Sequence, residues 1–207
     1  MSLRLIFCFF ASVALAKAAG LPELWVERTK SVVAIEFVVE TEIDRRPTTA
    51  YGVVTDEQGT VVLPPAAINP RFSIEQYKDF KAYRPGDSIS VPAEYIGQDA
   101  LTGWHFVRVA AKLRGELVPI TRFFAAKDEE PSLGSKVWGI ALRGKDEDFT
   151  PYLLSGRIAL VQSLPQRTAI AQTEVASPGL PVFNEAGDFV GLALGAFGQS
   201  FVQFSRL

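Results

Sequence analysis

The chain has 207 residues, 48% of them hydrophobic, and a formal net charge of −2. That apolar content feeds a sizeable core and excludes a disordered chain, and the length fits one domain or two small halves sharing one core. The near-neutral balance, without a long basic run, leaves nucleic acid no electrostatic footprint.

The first segment reads as a leader. Arg4, the apolar run Leu5 to Leu15, and the small-x-small steps Ala14-Leu15-Ala16 and Ala16-Lys17-Ala18 have the layout of a signal peptide over residues 1–18. An uncleaved anchor helix is the rival reading, and the run is short for a bilayer span. Cys8, the only cysteine, lies in this segment. The mature chain, residues 19–207, then holds no disulfide and no thiolate metal site, and it cannot use cysteine as a nucleophile. An exported domain without disulfides suits a bacterial periplasm or the extracellular medium. No membrane span remains once the leader is cleaved.

Helical periodicity appears at Leu21 to Thr29. Ser31 to Glu40 then reads as a strand. Tyr51 to Thr55 and Val61 to Leu63 flank the turn Asp56-Glu57-Gln58-Gly59 as a hairpin. Ile74 to Lys81 carries a second helical pattern. Ser88 to Ile96 and Trp104 to Val109 continue the strands, and Gly115 to Asp128 suits a connection between two halves. Lys136 to Leu142, Tyr152 to Val161, Thr168 to Thr173, Pro181 to Phe183, Phe189 to Leu194 and Phe201 to Phe204 complete the set. Many short strands with few helices predict an all-β, closed architecture, which also removes exposed edges. Asp44-Arg45-Arg46 and Lys127-Asp128-Glu129-Glu130 read as solvated loops. The acidic run Lys145 to Asp148 has no EF-hand ligand spacing.

Three segments together resemble the trypsin-like serine peptidases, above all the bacterial high-temperature-requirement group. Tyr51 to Ile68 (YGVVTDEQGTVVLPPAAI) is similar to that family's first hairpin. Tyr95 to Val109 (YIGQDALTGWHFVRV) is similar to its second motif, and Gln172 to Leu192 (QTEVASPGLPVFNEAGDFVGL) to its third. Ser132 to Ile158 fits the stretch between. The resemblance implies a trypsin-like double β-barrel with few short helices, an N-terminal barrel over about 31–115 and a C-terminal barrel over about 128–207. It also implies that peptide tethering comes from the barrels, since the chain ends at Leu207.

The same alignment puts Ala66 where the family has its histidine, Gly103 where it has its aspartate and Pro178 where it has its serine. None supplies a nucleophile, a base or an orienting carboxylate. Proline also lacks the N–H that an oxyanion hole takes from the nucleophile. A second alignment sets Ser177-Pro178-Gly179 against an upstream segment of the family motif and deletes the nucleophile outright. Both give a catalytically degenerate member, without cofactor or metal, expected to bind an extended peptide or an envelope protein. Ser177, Gly179, Leu180 and Phe201 are its cleft candidates, with Phe197, Phe201 and Phe204 otherwise read as core. Two alternatives stay open: a displaced active site built from Asp99, His105 and Ser177, and a structural partner of an active paralogue. His105, the only histidine, reads more simply as a strand residue.

Overall fold

The structure, a computed structural model, describes residues 20–125, 131–163, 168–194 and 201–203. The leader, the run Lys127 to Glu130, Phe197 and Phe204 lie outside them. Among the described residues twelve strands form two antiparallel circuits, each closed and six-stranded. The first runs β1 (Val32–Glu40), β2 (Arg45–Val54), β3 (Thr60–Leu63), β6 (His105–Val109), β5 (Ser90–Gln98), β4 (Tyr77–Tyr83) and back to β1. The second runs β10 (Pro181–Asn184), β11 (Phe189–Ala193), β12 (Phe201–Gln203), β9 (Thr168–Ala171), β8 (Pro151–Gln162), β7 (Lys136–Leu142) and back to β10. The expected all-β architecture with few short helices is present.

Strand β1 explains its own unbroken apolar run. Val33, Ile35 and Phe37 point into the first barrel, where they join Val61, Leu63 and Val107. Val32 and Ala34 point the other way, into a second core that fills the C-terminal barrel and the seam between the barrels. A strand buried on both faces loses the polar alternation of a half-exposed one. Glu36 continues the seam-facing row at its rim, where it takes a hydrogen bond from Tyr83 Oη at 3.2 Å and an ion pair from Lys145 Nζ at 2.5 Å. Lys145 is therefore tied across the barrels, and the Glu36 carboxylate pushes its pKa up.

Helix α1 (Leu21–Arg28) buries Leu24 and Arg28. Arg28 Nε and Nη2 both donate to the Gly187 carbonyl, at 3.0 and 2.9 Å, and its guanidinium lies 3.9 Å from the centre of the Phe123 ring. This clamp pins α1 to the β10–β11 hairpin. A short helix, α2 (Ala111–Arg114), opens the connection to the second barrel.

Two expectations need correction. Ile74 to Lys81 is one 3₁₀ turn, Ile74–Gln76, followed by strand β4. The turn starts as a helix would, with a Ser73/Gln76 capping box. Asp79, at φ 55°, then bulges the strand opposite Glu36 and Val38. The bulge puts Tyr77 and Phe80 on one face, both against the Phe37 ring. Aromatic residues three apart on one face imitate helical spacing. Arg45 and Arg46, expected in a loop, open β2; Arg45 pairs with Glu40 and Asp79, and Arg46 with Asp44.

Candidate functional site

Strand β3 ends at Leu63 and passes into Pro64 and a 3₁₀ turn, Pro65–Ala67. Proline at two consecutive positions fixes the backbone that presents Ala66. Ala66 is exposed. It borders a groove of about 800 Å³ at the mouth of the first barrel, where Phe37, Phe72 and Tyr77 share the lining with the charged and polar Glu42, Arg46 and Gln76.

Gly103 precedes β6 on the neighbouring turn. Its φ is +76°, and a Cβ there would sit 3.5 Å from Pro65 Cβ. The position therefore abuts the turn that carries Ala66, with a left-handed backbone that favours glycine. Gly179 closes the arrangement from the second barrel. Its φ is +86°; a Cβ would fall on the Tyr51 carbonyl oxygen and 2.6 Å from Pro64 Cδ. The loop bearing Pro178 thus packs directly against Tyr51 and Pro64 of the first barrel.

The cleft candidates on that loop face inward. Ser177 and Leu180 are buried, and Leu180 is a core residue. The Ser177 N–H donates to the Ile140 carbonyl at 3.2 Å, and its Oγ accepts from the Leu142 N–H at 3.4 Å. The Gly179 N–H donates to the Ala193 carbonyl at 2.7 Å and the Leu180 N–H to the Ser177 carbonyl at 3.0 Å. Amides 177, 179 and 180 are thus spent on the fold, and Pro178, the exposed member of the group, has none. As direct ligand contacts, Ser177, Gly179 and Leu180 are corrected to scaffold residues. The backbone of Phe201 pairs with Ile170, while its side chain lies outside what is described.

His105 is 3% exposed at the start of β6. Its Nδ1 lies 3.0 Å from the Tyr95 hydroxyl, and its Nε2 is buried without a hydrogen-bond partner among the described residues. Burial lowers its pKa below 6.5, and the Pro65 backbone pulls weakly the other way. Burial likewise raises the Tyr95 hydroxyl. Asp99 caps its own turn through the Thr102 hydroxyl, with the Thr102 N–H at 2.9 Å, and the Thr102 bonds hold its carboxyl below the usual range. Asp99, His105 and Ser177 therefore each have their own partner, and no hydrogen bond joins any two of them. Sequence reasoning missed Tyr95 and the groove. The bulge in β5 between Tyr95 and Gly97 decides which residue faces His105, and only the cross-strand register exposes it.

The crystal structure of the serine endoprotease from Yersinia pestis is similar to this chain, with a TM-score of 0.64 at 16% sequence identity. The likeness covers 89% of this chain and 62% of that one. The fold is the trypsin-like double β-barrel. At this identity the likeness speaks for the fold alone, and the chain spans under two thirds of its neighbour's length. No protein-family model matches the sequence, and no curated protein does. No helix among the described residues is long and apolar enough to cross a membrane.

Proposed function

We propose that this chain is an exported trypsin-like protein without a Ser/His/Asp triad, which binds an extended peptide or an envelope protein instead of cutting it. The observation that carries the reading is the loop at Pro178, which offers neither a hydroxyl at the nucleophile position nor a free amide at residues 177–180. Acyl transfer needs a nucleophile, a base within hydrogen-bond reach of it, and donors aimed at the developing oxyanion. Ala66 and Gly103 contribute no base and no carboxylate at the adjoining positions. The displaced alternative, Asp99 with His105 and Ser177, fares no better, because His105 bonds to Tyr95 and Asp99 to Thr102.

Binding needs none of these groups. The groove beside Ala66, with aromatic walls and a charged and polar rim, suits an extended segment from another exported protein. Unfolded casein, labelled and titrated with the protein, is expected to bind saturably, and Ala66→Trp, which fills the groove from its rim, to weaken binding about tenfold or more. Ala66 is exposed, so the substitution leaves the core alone. Unchanged affinity in Ala66→Trp would remove the groove from the account, and absence of saturable binding would remove the binding role.

A further inference from the structure

One stretch of backbone is left open by the barrel closure. Strand β8 pairs with β7 over Pro151 to Arg157, but with β9 only from Ile158 onward. Among the described residues no strand lies against the other edge of Pro151 to Ser155. Which groups face that edge follows from parity. Ile158 donates to Ser135 and accepts from Gly134, on the β7 side. Arg157 accepts from Gln172, on the opposite side. In an extended strand the direction alternates, so Pro151, Leu153 and Ser155 turn their backbone groups outward. Thr173 Oγ1 already donates to the Ser155 carbonyl, at 3.5 Å. Pro151 has no N–H. The groups left are the Pro151 carbonyl, the Leu153 N–H and carbonyl, and the Ser155 N–H.

That remainder is its own complement. Two copies related by a two-fold axis through Leu153 pair antiparallel. Leu153 exchanges both of its bonds with Leu153 of the other copy, and each Ser155 N–H meets the other copy's Pro151 carbonyl. Every outward group is used. The missing proline N–H falls opposite the carbonyl that Thr173 already holds. The edge (PYLLS) carries no charge, and none of the lysines that commonly guard an open edge. Leu153 is 37% and Leu21 45% exposed, and with Trp25 and Tyr152 they line an apolar groove of about 390 Å³ beside the edge.

We infer that β8 is a dimerisation edge, and that its partner is a second copy of this chain, joined antiparallel about Leu153. The surface is distinct from the groove beside Ala66, so this inference stands or falls independently of the binding role.

The test uses the full-length chain carrying Cys8→Ser, which removes its only cysteine. In that background Leu153→Cys places two thiols across the axis, with Cα atoms about 5.5 Å apart, within disulfide range. Mild oxidation is expected to give a covalent dimer. Leu160→Cys, somewhat more exposed than position 153 but on the part of β8 already paired with Ile170, is expected to stay uncrosslinked. Sedimentation over a concentration series should show a reversible wild-type dimer. Leu153→Lys should move its midpoint about tenfold or more towards monomer, because like charges would face each other. A wild-type chain that sediments as a monomer throughout, or a dimer that ignores Leu153→Lys and fails to crosslink at 153, would overturn the inference. Should Leu153→Lys unfold the chain, the pair of cysteine variants still decides.

Discussion

Gly179 has almost no room to change. Its left-handed backbone and its contacts with Tyr51 and Pro64 make it the point where the second barrel touches the turn that carries Ala66. Gly86 shares the left-handed backbone, at φ +75°, but has nothing within 4 Å of the place a Cβ would take. The pair separates strain from collision. Gly86→Ala is expected to cost about 1–2 kcal/mol of stability from the backbone alone. Gly179→Ala adds overpacking against a carbonyl and a proline ring, about 1–3 kcal/mol more. Urea denaturation of the two variants checks this, and equal losses would mean that the loop does not press on the first barrel.

The β5–β6 pair carries a pH dependence in its one histidine. His105 is buried beside Tyr95, and burial holds its pKa below the ordinary 6.5. The unfolded chain takes up the proton near pH 6.5, and the folded chain only at lower pH. Its contribution is therefore fully present above pH 6.5 and is lost as the pH falls from there towards the folded value. Thermal melts of wild type are expected to drop between pH 7 and 5.5, and His105→Leu to flatten the curve over that window. A wild-type curve that matches His105→Leu would show that the imidazole titrates normally. At the element scale much was legible: β1, β3, β6 and β7 follow from their apolar runs, and α1 from its periodicity. Strand β4 was not, because the bulge at Asp79 gives Tyr77 and Phe80 a helical spacing on a strand. The Tyr95–His105 contact and the inward commitment of Ser177 were not legible either. Both depend on cross-strand register, which no local pattern encodes.

The whole molecule holds its two barrels together through a mixed seam. Val32, Ala34 and Trp104 share a continuous core with the second barrel, and the Phe149 ring lies 5.0 Å from Tyr83. At this seam Gly103 approaches Pro65, and Gly179 approaches Pro64 and Tyr51. The groove at the barrel mouth and the open edge of β8 are properties of barrel closure, so no sequence motif announces them. The central claim, a protease scaffold without protease chemistry, meets its most direct test in a serine-directed fluorophosphonate probe applied to the purified native protein. The account predicts no covalent labelling of wild type, and none after Pro178→Ser alone, because triad members act as a unit. Labelling of wild type that disappears in Ser177→Ala or His105→Ala would contradict it and place an active site where these side chains now hold separate partners.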